Sequence, residues 1–180
     1  MVVQTGRFGQ IEISSDEIVK IPSGVLGFPD DHDFCLVDAG DDTLILWLQS
    51  LSNPRLAFPV LEPKIFKPEY VVRLSASELR ELKLTSINDA SVFTILTIPS
   101  TLSEMTSNLK APIVFNVKEK IAKQVVLQEN DQPIKYPMFK ELRTHLINIR
   151  ASTDKALPKA VGKTVIQVGD LPISTRVELI

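Results

Sequence analysis

Residues 34–61 read FCLVDAGDDTLILWLQSLSNPRLAFPVL, and the pattern of this stretch decides the fold. Apolar runs occur at 34–37, 43–49 and 56–61, and residues that favour turns separate them. Short apolar runs bounded by Asp, Gly, Asn and Pro are typical of β-strands joined by tight connections. Pro59 lies inside the third run and cannot donate a hydrogen bond to a sheet, so we expect that strand at an edge or a bulge.

The same pattern recurs through the first 130 residues. Further runs with strand character lie at 9–13, 71–74, 91–98, 113–117 and 124–127. Short strands at this spacing predict a mostly β fold, a small closed or partly open barrel of antiparallel strands, with a sandwich as the alternative. One short helix is expected after Ser75, because Ser75 and Glu78 have the spacing of a capping box.

The pattern changes after residue 130, and we therefore expect a barrel domain at 1–130 and a C-terminal extension at 131–180. Large apolar residues recur there at helical spacing, at Phe139, Leu142, Leu146 and Ile149. They predict an amphipathic helix, which either covers the barrel or binds a partner, and covering the barrel is favoured. The last stretch, 161–180, alternates only weakly and leaves open whether it adds strands or stays mobile.

Charge is divided unevenly along the chain. The net charge is −2, yet residues 131–180 carry 8 basic and 5 acidic side chains, which leaves an acidic body. An acidic body disfavours binding to nucleic acid through phosphate groups. It either attracts a basic partner or serves only solubility, and the sequence leaves both readings open.

Motifs for catalysis, metal binding or membrane insertion are missing from the sequence. The single cysteine, Cys35, lies in an apolar run, so we expect it to be buried in a protein of a reducing compartment. The two histidines, His32 and His145, are far apart, and no phosphate-binding glycine loop or nucleophile elbow occurs. We expect no enzyme activity, no metal and no cofactor. No apolar run approaches the ~20 residues that span a bilayer, which favours a cytoplasmic protein without membrane contact.

Polar and turn-forming residues set among apolar ones form four phrases, in a fixed order along the chain. The phrases are Phe8-Gly9-x-Ile11; Ile21-Pro22-x-Gly24-Val25-Leu26-Gly27-Phe28; Leu48-Gln49-Ser50 with Pro54 and Leu56-Ala57-Phe58; and Thr106-x-Asn108-Leu109-x-Ala111-Pro112 with Asn116 and Gln124-Val125-Val126-Leu127. Together they closely resemble the flagellar assembly factor FliW family, from about Thr5 to Leu127. The extension lies beyond this resemblance.

The resemblance implies a β-barrel protein that binds newly made flagellin and also binds the translational repressor CsrA, and so couples the flagellin level to flagellin translation. No chemistry is needed for such a switch between two protein partners. We expect protein binding at polar residues of the phrases and at acidic residues of the body, namely Gln49, Ser50, Asn108, Asn116, Asp30, Asp31, Asp41 and Asp42. Turn formation is the alternative role for Asn108 and Asn116.

Two other functions remain as alternatives at this stage. An RNA-binding β-barrel regulator normally presents basic grooves with exposed aromatic residues, whereas aromatic residues make up 6% of this chain. A hydrolase built from His32 with Asp33 or Asp41 lacks a third group to orient the histidine. The larger aromatic residues of the strands are expected in the core, namely Trp47, Phe58, Phe66 and Phe93.

Overall fold

The computed structural model describes residues 1–40, 43–128, 131–152 and 162–180. Its strands are β1 Val2–Thr5, β2 Gly9–Glu12, β3 Val19–Lys20, β4 Asp33–Asp38, β5 Leu46–Ser50, β6 Ala57–Leu61, β7 Val71–Leu74, β8 Ala90–Thr97, β9 Thr106–Ser107, β10 Ile113–Asn116, β11 Ile121–Gln124, β12 Tyr136–Pro137, β13 Thr164–Ile166 and β14 Arg176–Leu179. Its α-helices are α1 Ala76–Glu81 and α2 Phe139–Ser152. Single turns of 3-10 helix lie at Ser15–Glu17, Pro63–Ile65, Ile87–Asp89, Leu102–Glu104 and Val168–Asp170.

A closed barrel forms the centre of the molecule. The strands follow each other in the order β10, β11, β3, β4, β5, β6 and β8, and β8 pairs back with β10. Closure leaves this ring without open strand edges. The predicted mostly β barrel is therefore confirmed. Its neighbouring strands are antiparallel except for β3 and β11, which are parallel and meet at a single register pair, Lys20 with Ile121.

Most of the predicted strands are present, and one is displaced. β7 has the predicted bounds, whereas the run at 124–127 shares only Gln124 with β11. A short turn causes the shift, because Asn116 already pairs with Ile121 in the register of β10 and β11. The run remains extended beyond β11, since the backbone N–H groups of Val125 and Leu127 donate to carbonyl groups at positions 112 and 110.

Pro59 lies where β6 loses one of its two neighbours. It is in register with Trp47 of β5, whereas the pairing of β6 with β8 begins at Val60. The missing N–H of proline is tolerated there because no strand in the described part of the chain pairs with it on that side.

Alternation along the strands divides the core between the two faces of the barrel wall. Phe34, Leu48 and Phe115 belong to a cluster contributed by all seven strands of the ring, which fills the barrel interior. A second cluster lies outside the wall, beneath β7, α1 and α2. A third packs the hairpin of β1 and β2 against Cys35 and Val37. Of the aromatic residues expected in the core, Phe66 and Phe93 are buried.

Trp47 and Phe58 differ from that expectation, because both are only partly buried. Trp47 lies on the opposite face of β5 from Leu48, which fills the barrel interior. A strand presents successive side chains to opposite faces, so Trp47 is turned outward.

Both predicted helices are present. In α1 the hydroxyl of Ser75 accepts a hydrogen bond from the N–H of Glu78, and the Glu78 carboxylate accepts one from the N–H of Ser75 at 2.7 Å, which is the predicted capping box. In α2 the side chain of Leu142 is buried in the outer cluster, and Phe139 and Leu146 pack against the same cluster. The predicted amphipathic helix therefore covers the barrel. No helix in the described part of the chain is long and apolar enough to cross a membrane.

The end of the chain adds strands, which answers the question that the sequence left open. β13 pairs with β4, and β14 lies parallel to β7. Between them, Val168 and Leu171 contribute to the cluster inside the barrel. The division of the chain into a domain at 1–130 and an extension at 131–180 stays a prediction, and the described part of that extension packs on the barrel.

Candidate protein-interaction site

Gln49 and Ser50 lie at the end of β5, where they hold the connection to β6. The Gln49 side chain is 0% exposed. Its amide Nε2 donates to the carbonyl oxygens of Ser50 at 2.9 Å and Leu56 at 3.0 Å. The Gln49 amide N–H group thus ties β5 to the connection that follows it, and the carbonyl of Leu56 also accepts the N–H of Ser50 at 2.9 Å.

Ser50 links this connection to the loop before β4. Its Oγ donates to Oδ1 of Asp31 at 2.5 Å and accepts a hydrogen bond from the N–H of Asn53 at 3.0 Å. The same carboxylate oxygen accepts a hydrogen bond from Ser52 Oγ at 2.9 Å. Asp31 is therefore a half-buried anchor, whereas the neighbouring Asp30 is exposed. The structure brings Ser50 and Asp31 together, which the sequence did not predict.

Asn116 has an internal role in the structure. It is 2% exposed, and its Nδ2 donates to the carbonyl oxygens of Leu82 at 2.9 Å and Lys83 at 3.0 Å, at the end of α1. Its Oδ1 accepts from the N–H groups of Lys118 and Glu119 at 3.1 and 3.2 Å. Asn116 thereby ties α1 to the turn between β10 and β11.

Asn108 forms a turn in a more exposed position. Its Oδ1 accepts hydrogen bonds from the N–H groups of Lys110 and Ala111, each at 3.1 Å. These are the turn contacts considered as the alternative for both asparagines. Asp41 and Asp42 lie outside the described residues. Because Gln49 and Asn116 face inward, any part they have in protein binding is exerted through the loops that they hold.

The four sequence phrases that resemble the family include large apolar side chains that are exposed on the surface of the protein. Leu26 is 60% exposed and Phe28 is 39% exposed, and both lie in the turn between β3 and β4. The ring of Phe28 packs edge-on against Phe58 of β6, with centroids 5.4 Å apart. We call Leu26, Phe28 and Phe58 the apolar face. Large apolar side chains exposed together on one turn are characteristic of protein-binding surfaces.

The turn that carries the apolar face is fixed from both sides. Gly24 has a φ of +66°, and a Cβ at this position would lie 2.3 Å from the carbonyl oxygen of Phe28, so only glycine fits. The N–H of Leu26 donates to Oε1 of Gln124 at 2.9 Å, and Nε2 of Gln124 donates to the carbonyl oxygen of Ala111 at 3.1 Å. Residues from three of the family phrases therefore build one site.

Sequence reasoning did not single out Leu26 or Phe28 as binding residues. The available signal was two large apolar residues in a turn that contains two glycines, Gly24 and Gly27, where a core strand is not expected. Val126 lies two residues beyond Gln124 and is also exposed.

Side chains with catalytic potential are engaged elsewhere. Burial raises the pKa of the Cys35 thiol to about 12, with a smaller contribution from the negative charge of Glu17. Asp33 accepts a hydrogen bond from Lys20 at 3.0 Å, while Nδ1 of His32 lies 3.4 Å from the carbonyl oxygen of Ile21. Within the described ranges, no group of three or more His, Cys, Asp or Glu residues could hold a metal ion.

Comparison with known proteins assigns this architecture to a family. The family model described as "FliW protein" matches residues 2–138. The chain is 42% identical over 147 residues to the flagellar assembly factor FliW of Bdellovibrio bacteriovorus, an alignment that covers 82% of this chain and 84% of that protein. It is 35% identical over 149 residues to the protein of the same name from Thermoanaerobacter pseudethanolicus, with 82% and 99% covered.

A solved structure agrees with these matches. The crystal structure of the flagellar assembly factor FliW superimposes with a TM-score of 0.73 at 33% identity, and covers 77% of this chain and 97% of the other. The barrel and the turn with the apolar face lie within residues 2–138, which the family model matches, whereas α2, β13 and β14 lie beyond that model. This chain belongs to the FliW family of flagellar assembly factors.

Proposed function

We propose that this protein binds flagellin in the cytosol and antagonises the translational repressor CsrA by binding it directly, which couples the flagellin level to flagellin translation. Membership of the FliW family supports this proposal. The observation that carries it furthest is the position of the apolar Phe28 two residues before the exposed, acidic Asp30, on a single loop. No step of this function needs catalysis, a cofactor or a metal.

The apolar face suits the flagellin side of the switch. Amphipathic helices bind by laying their apolar stripe onto an apolar surface, and binding of this kind would suit the terminal helices of flagellin before export. Covering a large apolar side chain such as Leu26 or Phe28 contributes roughly 1.5–3 kcal/mol when burial is complete. The fixed turn at Gly24 holds both side chains in place before binding, which lowers the entropy cost of association.

The acidic residues suit the CsrA side. CsrA binds RNA and is therefore expected to present basic residues, which acidic side chains attract. Asp30 is exposed, and Asp31 is held by Ser50 and Ser52 so that its charge has a fixed position. Asp41 and Asp42 belong to the same proposal by sequence. Complementary charge mainly raises the association rate.

One loop serving two partners gives mutually exclusive complexes. Phe28 and Asp30 are too close along the chain for two folded proteins to contact them together. Flagellin then displaces CsrA whenever its concentration divided by its dissociation constant is the larger of the two. Within this scheme we propose that residues 1–130 form the switch domain and residues 131–180 an addition to it.

Size-exclusion chromatography with purified monomeric flagellin tests the proposal. We expect a complex at micromolar concentration, its loss in the variant Phe28→Ser, and its retention in Ile173→Ser, a control at an apolar residue of similar exposure in the tail. Flagellin should also release CsrA from a preformed complex. Separate elution of the unmodified protein and flagellin would overturn the assignment, and a ternary complex would overturn the exclusive switch.

A further inference from the structure

A second apolar surface lies between α2 and the barrel, away from the turn of Leu26 and Phe28. It is a groove of about 470 Å³, within the range of roughly 300–1,000 Å³ that binding pockets occupy. Phe139 and Leu146 of α2 form one wall, Trp47 of β5 forms the other, and Ile98 lies in the segment after β8. We call it the α2 groove.

Two arginines lie at the rim of the α2 groove and make this rim positively charged. The guanidinium of Arg7 stacks on the ring of Trp47, with its central carbon 3.5 Å from the ring centroid. Arg143 follows Leu142 on α2 and is exposed. In the parts of the chain that the structure describes, neither arginine takes part in an ion pair, and no acidic side chain lines the groove. The groove is therefore apolar at its floor and positive at its rim.

The length of the α2 groove further restricts what kind of partner segment can bind in it. The residues of α2 that line the groove run from Phe139 to Leu146, a length of about 10 Å at the rise of an α-helix. That length matches two turns of a second helix packed beside α2. Apolar residues at helical spacing would cover Phe139, Trp47 and Leu146, and carboxylates beside them would meet Arg7 and Arg143.

We propose that the α2 groove is a docking site for an acidic amphipathic helix of a partner protein. RNA and anionic membranes fit less well, because two arginines are a small positive field and the chain carries a net charge of −2. The inference does not rest on flagellin or CsrA binding, since it stands on the apolar lining of the groove and on its two arginines.

The single tryptophan of the chain reports on this site directly, because Trp47 lines the groove. The probes are two synthetic amphipathic peptides with the same leucine stripe, one flanked by glutamates and one by lysines. We expect the glutamate peptide to shift Trp47 emission saturably at micromolar concentration. The lysine peptide should bind at least about ten-fold more weakly, because it places like charges against the rim.

Matched charge reversals on α2 separate the rim from the general charge of the helix. Arg143→Glu should weaken the glutamate peptide about ten-fold and strengthen the lysine peptide, whereas Lys140→Glu, an exposed position outside the groove lining, should change neither. Flagellin binding by Arg143→Glu should stay unchanged. The proposal would be overturned if both peptides bound with equal affinity, or if the two charge reversals had equal effects. It would also be overturned if Trp47 emission showed no saturable change up to about 1 mM peptide. Loss of flagellin binding in Arg143→Glu, or self-association through the groove, would also overturn it.

Discussion

Oγ of Ser50 lies 2.5 Å from Oδ1 of Asp31 and joins the end of β5 to the loop that carries the apolar face. The two residues are 19 positions apart in sequence. Through this hydrogen bond the barrel wall positions the acidic end of a loop whose other end presents Phe28. The candidate interaction site is thus supported by a strand of the barrel, and rigid strands hold functional loops in reproducible positions.

Ser50→Ala removes this link. We expect the free energy of unfolding to fall by about 1–2 kcal/mol, because a buried hydroxyl that donates to a carboxylate is lost while Asp31 keeps its contact with Ser52. Urea denaturation measures the change. Ser52→Ala, at the more exposed partner of the same carboxylate, is the control and should cost less. A larger loss in the control would contradict the central place of Ser50.

Neutralising the acidic residues should slow CsrA binding without unfolding the protein. The double variant Asp30→Asn/Asp31→Asn is expected to lower the association rate and flatten its dependence on salt, and adding Asp41→Asn and Asp42→Asn should enlarge both effects. Stopped-flow fluorescence at several ionic strengths gives the rates.

Neutralisation at Glu104 and Glu119, two exposed acidic residues elsewhere on the body, provides the control. Identical kinetics for the two double variants at every salt concentration would contradict an acidic binding loop at Asp30.

Asn116→Ala should be far more destabilising than Asn108→Ala. The first substitution leaves the carbonyl groups of Leu82 and Lys83 and two N–H groups of the following turn without their partner, for a loss of about 2–4 kcal/mol. The second removes the acceptor of a partly exposed turn and should cost about 1 kcal/mol. Thermal unfolding compares them, and similar melting temperatures would show that Asn116 does not tie α1 to the barrel.

Truncation after Leu127 should lower the melting temperature and the solubility of the protein. It removes buried side chains from two core clusters, Leu142 and Val177 outside the barrel and Val168 and Leu171 inside it. Each fully buried apolar side chain contributes roughly 1.5–3 kcal/mol. Truncation after Ser152 keeps α2 and separates its contribution from that of β13 and β14. An unchanged melting temperature after Leu127 would make the extension an independent appendage, and partner affinities measured in parallel show whether it shields a binding surface.

Cys35 should be inert to thiol reagents in the folded protein. Only the thiolate reacts, and burial raises the pKa of this thiol from an ordinary 9.0 to about 12. Labelling with iodoacetamide at pH 8 should therefore require unfolding.

The same shift makes stability depend on pH. The unfolded thiol loses its proton above its ordinary pKa while the folded thiol keeps it, so stability present below pH 9.0 is lost progressively towards pH 12. The variant Cys35→Ala should lack this part of the alkaline loss. An equal slope of stability against pH between 9 and 12 in both proteins would contradict the burial effect.

Local patterns predicted the elements that depend on local physics. The run at 71–74 became β7 because its alternation sets one face toward the core, and α1 began at its capping box. β3 and β9 were beyond this reasoning, since a strand of two residues has no measurable period. The parallel pairing of Lys20 with Ile121 was also beyond it, because long-range pairing leaves no local signature.

The candidate site was predicted less completely, for two physical reasons. Polar residues are ordinarily placed on the surface, yet Gln49 and Asn116 are buried and bond backbone groups. Two of the four groups that Asn116 bonds lie more than 30 positions away. Leu26 and Phe28 are the opposite case, because they are exposed although apolar residues are ordinarily placed in the core. Their exposure follows from the turn at Gly24, whose shape is visible only in three dimensions.

The parallel pairing of β14 with β7 also bears on the order in which the fold forms during synthesis. Val177 of β14 is buried in the cluster outside the barrel. Chains begin to fold from the N-terminal side while they leave the ribosome, so the strands of the ring are available before this last strand exists. During synthesis the barrel can therefore close at a stage when β7 does not yet have β14 beside it.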